Sequence, residues 1–216
     1  SSASTKLVHG GLRYLETYEF RLVAESLRER EVLLKAAPHI VWPLRFVLPH
    51  DKNLRPRWML RLGLFLYDRI GGRRTLPGSH GVDLRKAPHR AILKDRLTRG
   101  FEYSDCWIED SRMVVLAAMD ARELGAEILT RTECIGLERT ADGWIAALRH
   151  PDGSERVVEA RAVVNAAGPW VDGIAGLGLG RGTPARLRLV KGSHIIVPRL
   201  YQGSHAYIFQ QEDGRI

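Results

Sequence analysis

The sequence predicts an α/β fold of mixed α+β organisation, and three patterns support this prediction. Apolar residues recur at helical intervals over about 11–37 and 55–70. Between 127 and 159, short segments of strand character are separated by turn residues, which is typical of a β-meander. At 162–165, an apolar run leads into Ala-Ala-Gly-Pro, which indicates a strand that ends in a tight turn. Helices mixed with strands in this way favour a layered fold with an inserted meander.

The composition argues against several classes of protein. With 216 residues, 44% apolar and 27% charged, the chain suits one large globular domain or two small ones. No stretch approaches the roughly 20 uncharged apolar residues of a membrane-spanning helix. The two cysteines, Cys106 and Cys134, form no CxxC pair, so we expect reduced thiols rather than disulfides. The net charge of +8 is spread along the chain without a basic tract, so we expect anionic small molecules or membrane surfaces rather than nucleic acid as partners.

The first half of the chain predicts two helices around a strand. The helix over 11–37 should close at Pro38. Residues 39–50 predict a buried strand, in which Pro43 marks an edge or a bulge. A second helix over 55–70 has Pro56 in its first turn and two glycines after its end. Residues 71–90 show no periodicity and are interpreted as a loop.

The second half predicts one more helix and several strands. Asp110 is a suitable N-cap for a helix through Leu124, closed by Gly125. The strands are expected at 101–107, 127–139, 144–149, 155–159, 162–165, 187–197 and 206–211, with a turn at 151–153.

The opening segment SSASTKLVHGGLRYL carries the groups that hold a pyrophosphate or the edge of a flavin. It offers hydroxyls, one cation and exposed backbone amides ahead of a helix. The pair Gly10-Gly11 would let the backbone approach a planar ligand closely. Composition alone supports a flexible polar segment equally well.

Three further segments have both a functional and a structural interpretation. In AVVNAAGPW, small residues after a strand would let a cofactor approach the backbone, although a plain strand-to-helix turn is the commoner use. In VKGSHIIVP, His194 near Lys191 could accept a proton beside an anion, or be a structural histidine. The glycines of 176–182 lack the spacing and the preceding strand of a dinucleotide fingerprint, so we interpret them as a flexible connection. The histidines show no metal-ligand spacing, and we expect no metal site.

Taken together, five segments resemble successive blocks of the aerobic, FAD-dependent glycerol-3-phosphate dehydrogenases, in the same order and with fitting spacing. The combination of KLVHGGLRYLE with EYSDCW is much more specific than any single motif, and the resemblance extends over essentially the whole chain. The five segments are SSASTKLVHGGLRYLE, YEFRLVAESLREREVLLKAAPH, FEYSDCWIED, VVNAAGPWV and KGSHIIVPR.

The resemblance implies a two-domain fold of the D-amino-acid-oxidase-like flavoproteins, with a FAD-binding domain and an interleaved substrate or cap domain. The partial FAD-binding domain would comprise 1–38 and 105–182, and the partial substrate-binding domain 39–104 and 183–216. In that family a GxGxxG segment precedes the first of these blocks and a further part follows the last. We therefore expect an internal fragment that binds FAD weakly or not at all, and that oligomerises through exposed strand edges.

The resemblance also implies a reaction and a set of site residues. The family oxidises glycerol 3-phosphate to dihydroxyacetone phosphate with FAD, and passes the electrons to quinone in the membrane. Arg13, Tyr14, Lys191 and His194 would surround the substrate, with His194 as proton acceptor. The expected FAD contacts are Ser2, Ser4, Lys6, Leu7, His9, Gly10, Ile135, Ala167, Gly168 and Trp170.

A cytoplasmic enzyme peripherally attached to the inner membrane is the localisation that the resemblance implies. The basic, apolar helix candidate at 55–70 is our predicted contact with an anionic membrane surface. A helix that packs on its own domain, with its arginines reaching outward, explains the same pattern. Two alternatives to the dehydrogenase remain open: a related oxidase that uses oxygen, and a catalytically silent module.

Overall fold

The computed structural model describes residues 4–72, 75–179, 187, 189 and 192–210. The chain forms two compact units, one made of 1–119 with 195–216 and the other of 120–194. Both units contain helices and strands, so the predicted mixed α/β class is confirmed. The assignment of segments to a FAD-binding and a substrate domain stays a prediction, because it concerns a larger assembly of elements than these units.

The first unit is built on a mixed five-stranded sheet. Its strands are β1 (Leu7–Val8), β2 (Val41–His50), β3 (His80–Asp83), β4 (Arg99–Ile108) and β8 (His205–Tyr207). They follow the order β1-β4-β2-β8, and β3 also pairs with β4. The antiparallel pair β2–β4 runs from Val41 opposite Ile108 to His50 opposite Arg99, and β8 lies parallel to β2 opposite Arg45–Val47. At Pro43, therefore, β4 is the only described partner of β2, as predicted for an edge position.

Helices α1 (Phe20–Ala36) and α2 (Arg57–Ile70) pack on one face of this sheet. A separate 3-10 turn over Leu12–Thr17 precedes α1, because Tyr18 adopts a left-handed backbone conformation that interrupts the predicted continuous helix. The helical spacing of apolar residues gives each helix one buried stripe. The core between helices and sheet consists of Val23, Leu27, Phe46, Leu64, Tyr67, Phe101 and Tyr103.

The opposite face of the sheet is also covered, mainly by connecting segments that bury Leu76, Leu84 and Leu97, and α3 (Asp110–Glu123) adds partly buried apolar residues. Here Cys106 and Ile108 of β4 pack with Ile40 and Val41, and Met113 of α3 joins them. Most of β4 is therefore buried on both faces, although its sequence RGFEYSDCWI includes Glu102, Ser104 and Asp105 among apolar residues.

The second unit contains the predicted meander. Strands β5 (Glu133–Arg139), β6 (Trp144–Arg149) and β7 (Glu155–Ala160) pair antiparallel in chain order. Helix α4 (Val171–Leu179) packs against β5 and β6. A Cβ on Gly178 would lie 3.0 Å from the Trp144 ring, so a glycine is needed for this close packing.

Several predicted boundaries were wrong, and pairing partners explain most of the differences. Part of the predicted loop at 71–90 forms β3, which pairs with β4. The strand predicted over 127–139 begins only at Glu133. Helix α4 includes Gly176 and Gly178, two of the glycines that we interpreted as a flexible connection.

Two predicted strands are absent from the described residues. No described residue pairs with 162–165, where Val164 is 89% exposed, and the described part of 187–197 is likewise unpaired. Within the described residues, no helix is both long and apolar enough to span a bilayer.

Candidate functional site

A cavity of about 380 Å³ lies in the first unit, between the segment that follows β1, helix α2 and the face of the sheet that carries Phe46 and Tyr103. Apolar side chains make up much of its lining, and polar and charged side chains are interspersed among them. This combination is typical of small-molecule and cofactor sites. The lining residues are Thr5, Leu7, His9, Gly11–Glu16, Phe46, Leu48, Arg55, Met59, Leu60, Gly63, Leu64, Tyr103, Asp105, Ile208 and Gln210.

Four of the residues predicted for the site line this one cavity: Leu7, His9, Arg13 and Tyr14. Arg13 is exposed and forms no ion pair with any described residue, whereas the nearby Arg55 is paired with Glu16 at 3.3 Å. An uncompensated guanidinium at the edge of an apolar pocket is suited to a phosphate or a carboxylate.

The loop at 9–11 is held by its own hydrogen bonds. The N–H of Gly10 donates to the Tyr67 hydroxyl at 2.7 Å, and the N–H of Gly11 donates to Nδ1 of His9 at 3.0 Å. Gly11 has φ +70, and its carbonyl accepts the N–H of Tyr14 at the start of the 3-10 turn. The close approach of Gly10 is thus to Leu27 and Tyr67 of its own unit. Its predicted contact with a flavin stays a prediction.

A buried polar cluster lies directly beneath this loop. Tyr67 donates to Asp105 at 2.8 Å, and Arg30 donates to Asp105 at 2.7 Å and to Glu31 at 3.1 Å. Glu31 in turn accepts the N–H and the hydroxyl of Thr75. Together these contacts connect α1, α2 and β4, and Asp105 itself lines the cavity.

The environment of the cluster shifts the pKa of each member. Burial and the neighbouring Asp105 raise the pKa of Tyr67 well above its usual value. Its hydroxyl therefore stays protonated and donates a hydrogen bond to the Asp105 carboxylate. Burial raises the pKa of Asp105 as well, against the opposing effect of Arg30. Burial by itself would lower the pKa of Arg30, but Asp105, Tyr67 and Glu31 together outweigh this effect and raise the pKa, so the guanidinium stays charged.

Ser4 and Lys6 lie before β1 and face Asp110 instead of the cavity. The Ser4 hydroxyl donates to Asp110 at 2.6 Å and accepts the N–H of Lys6, whose ammonium group lies 3.4 Å from Asp110. Lys6 also has φ 58, an uncommon conformation for a residue with a side chain. Ser2 and Lys191 lie outside the described residues.

The remaining predicted residues belong to the second unit. Ile135 is part of β5, and Ala167, Gly168 and Trp170 form the turn before α4, where Trp170 is 74% exposed. Asn165 stabilises this turn, since its side chain accepts the N–H of Ala167 and donates to the carbonyl of Val171. His194 is exposed in an extended segment at the end of this unit.

The sequence reasoning missed Arg30, Tyr67 and Asp105. A signal was present for Asp105, because an acidic residue within an apolar strand requires a partner in the fold. Arg30 and Tyr67 carried no such signal, since arginines and tyrosines are frequent on the surfaces of amphipathic helices.

Comparison with known proteins identifies close relatives. The chain is 57% identical to the glycerol-3-phosphate dehydrogenase of Pseudomonas aeruginosa, 55% to the D-erythritol 1-phosphate dehydrogenase of Brucella abortus and 52% to the aerobic glycerol-3-phosphate dehydrogenase of Escherichia coli. Each match includes 100% of this chain but only 42–43% of the relative. The chain therefore spans less than half the length of the relatives it matches.

Solved structures share the fold at lower identity. One is the glycerol-3-phosphate dehydrogenase of Bacillus halodurans complexed with FAD, with a TM-score of 0.51 and 23% identity over 79% of this chain and 27% of that chain. Another is the L-α-glycerophosphate oxidase of Mycoplasma pneumoniae with FAD bound, with a TM-score of 0.57 and 15% identity over 82% of this chain and 46% of that chain. Residues 1–216 match the model of the FAD dependent oxidoreductases, so this chain belongs to that family.

Proposed function

We propose that this chain is the internal part of a flavin-dependent dehydrogenase that oxidises glycerol 3-phosphate to dihydroxyacetone phosphate. The observation that carries the proposal is the cavity at Arg13, where a guanidinium without an ion-pair partner among the described residues lies beside apolar side chains. Substrates of this class combine a phosphate dianion with a short polyol, and they require one strong anion contact and a confined space for the reacting carbon.

One observation indicates that the residues around the cavity could hold a flavin. The aromatic and aliphatic floor of Leu7, Phe46, Leu48 and Tyr103 offers a surface against which a planar ring can lie. Bound FAD would accept the hydride from C2 of the substrate. Leu7 and His9 would hold its ring, while Ala167, Gly168 and Trp170 would cover it in the assembled enzyme.

The chain's own residues would then bind and deprotonate the substrate. Arg13 would hold the phosphate through charge-assisted hydrogen bonds, with Tyr14 and Lys191 beside it. His194 would accept the proton of the C2 hydroxyl, because an imidazole nitrogen can act as a general base. Quinone would be the electron acceptor of the complete enzyme.

The relatives are named as dehydrogenases of two polyol phosphates, glycerol 3-phosphate and D-erythritol 1-phosphate. The decisive experiment is anaerobic reduction of the flavin in the full-length protein by each compound, followed by reoxidation with a quinone analogue or with oxygen. Bleaching by glycerol 3-phosphate with quinone-dependent turnover supports the proposal. Rapid peroxide formation would instead indicate an oxidase. If neither compound bleached the flavin, the proposal would be contradicted.

The intact mass and the flavin absorbance of the purified protein test whether this chain is a separate module or part of a larger flavoprotein. A mass near 24.3 kDa without flavin bands would indicate a silent module. A larger mass with bound flavin would indicate a working dehydrogenase that contains this chain.

The role of Arg13 can be tested by substitution. Arg13→Ala should raise the KM for glycerol 3-phosphate by about tenfold to a hundredfold, because a hydrogen bond to a charged group is lost. Arg28→Ala is the matched control, since Arg28 is an exposed arginine of α1 that does not line the cavity. Equal KM values for the two variants would show that Arg13 does not bind the phosphate.

Attachment to an anionic membrane would take place through α2. This helix buries Leu64 and Tyr67, and it exposes Trp58 by 66%, Leu62 by 49% and Phe65 by 42%. Arg57, Arg61 and Arg69 accompany these side chains on the helix. Apolar side chains among cations are the combination that binds the interface of an anionic bilayer.

A further inference from the structure

We propose that Tyr67 is a positioning residue for the ligand-binding wall of the cavity, the segment 9–14. This inference rests on the proposed function, because it concerns the same cavity. The role assigned to Tyr67 is to hold the backbone of Gly10 through its hydroxyl, which is itself oriented by the buried carboxylate of Asp105. Tyr67 would not touch the substrate.

The hydroxyl of Tyr67 has its hydrogen-bonding groups fully engaged. It donates to Oδ1 and Oδ2 of Asp105 at 2.8 and 2.9 Å, and it accepts the N–H of Gly10 at 2.7 Å. Tyr67 is 3% exposed and Asp105 is 2% exposed, so water does not compete for these bonds. The hydroxyl therefore fixes Gly10 relative to β4.

The carboxylate that orients Tyr67 is itself fixed from the other side. Arg30 donates to Asp105 and also to the carbonyl of Ser104, so the guanidinium clamps both the side chain and the strand that carries it. A buried pair of this kind has few alternative arrangements, which is the property that a supporting residue needs.

From Gly10 the constraint passes along the chain to the cavity wall. The next amide, that of Gly11, donates to His9, and the carbonyl of Gly11 accepts the N–H of Tyr14. His9, Arg13 and Tyr14 are the polar groups that this segment presents to the cavity. A shift of Gly10 would move all three together, and a displacement of about 1 Å can cost up to a hundredfold in rate.

The test is Tyr67→Phe in the full-length flavoprotein, which removes the hydroxyl and keeps the ring. Tyr207→Phe is the matched control, because it removes a hydroxyl that lies 3.0 Å from Nδ1 of His89, in the same unit but outside the cavity. We expect Tyr67→Phe to raise the KM for glycerol 3-phosphate by about tenfold with a smaller change in kcat, since the anion contact at Arg13 is misplaced. Tyr207→Phe should leave both constants unchanged.

A second readout does not depend on activity. Hydrogen exchange of the backbone amides in 9–14 should become at least several-fold faster in Tyr67→Phe and stay unchanged in Tyr207→Phe. Unchanged exchange in Tyr67→Phe, or a KM equal to that of the control, would overturn the positioning role. If the wild-type flavoprotein oxidises neither polyol phosphate but the exchange result holds, the proposed function fails and the support of the loop by Tyr67 stands.

Discussion

Arg30 and Asp105 form an ion pair at 2.7 Å in which the side chains expose 6% and 3% of their surface. The pair joins α1 to β4 at the cavity, and Nε of Arg30 has no hydrogen-bond partner among the described residues. Burying such a pair is unfavourable because both charges lose their water. Removing only one partner lowers the free energy of unfolding further, because the other would be a buried charge without compensation.

We therefore expect Arg30→Met and Asp105→Leu each to lower the free energy of unfolding by about 3–5 kcal/mol. The double variant should cost clearly less than the sum of the single variants, because it removes both charges together. Urea denaturation of the four proteins measures the coupling. The exposed pair Arg21–Glu25 is the control, and its cycle should show a much smaller coupling. Strict additivity at Arg30 and Asp105 would contradict the prediction.

Gly10 is predicted to be intolerant of a side chain for reasons of packing. A Cβ there would lie 2.5 Å from Cγ of Leu27 and 2.8 Å from the Tyr67 oxygen, and both neighbours are buried. Gly10→Ala should lower the free energy of unfolding by about 1–3 kcal/mol. Gly63→Ala is the matched control, because a Cβ on this helical glycine meets nothing within 4 Å, and it should raise stability by up to about 1 kcal/mol. Thermal and urea unfolding distinguish the two, and equal effects would argue against the packing constraint.

His205 should make the stability of the first unit depend on pH. Burial lowers its pKa below the ordinary value of 6.5, and His89 lowers it further, while Glu102 acts in the opposite direction. As the pH falls, the unfolded chain takes up the proton first, so the free energy of unfolding decreases from about pH 6.5 down to the folded-state pKa. Above that range the contribution is fully present.

Urea unfolding at a series of pH values between about 7 and 5 measures this effect. In His205→Asn the slope due to this group should disappear, while the other titrating groups keep theirs. An identical pH dependence in the wild-type protein and the variant would show that His205 titrates alike in the folded and unfolded chain.

The membrane contact of α2 predicts a loss of vesicle binding. In the full-length protein, the double change Trp58→Ala and Phe65→Ala should lower co-sedimentation with anionic vesicles by about tenfold, since two aromatic side chains leave the interface. Phe20→Ala with Leu22→Ala, an exposed apolar pair on α1, should leave binding unchanged. Undiminished binding of the α2 variant would exclude this helix as the contact.

Local sequence patterns were sufficient for most of the secondary structure. The predicted helix over 55–70 corresponds to α2, and the predicted strand at 144–149 has the bounds of β6. Helical periodicity and turn residues depend on neighbours a few positions away, so they can be read from the sequence directly. The errors occurred where pairing decides: β3 forms because β4 lies beside it, and 162–165 remains unpaired despite its apolar residues.

The sequence by itself determined the family resemblance, the mixed α/β class and four of the residues that line the cavity. The tertiary structure alone decided that the Gly10 amide meets Tyr67, that Tyr67 meets Asp105 and that Asp105 meets Arg30. These contacts join residues far apart in the chain, and they depend on how two helices pack on one strand. Because no local pattern specifies such packing, the support of the candidate site emerges only when the chain is folded.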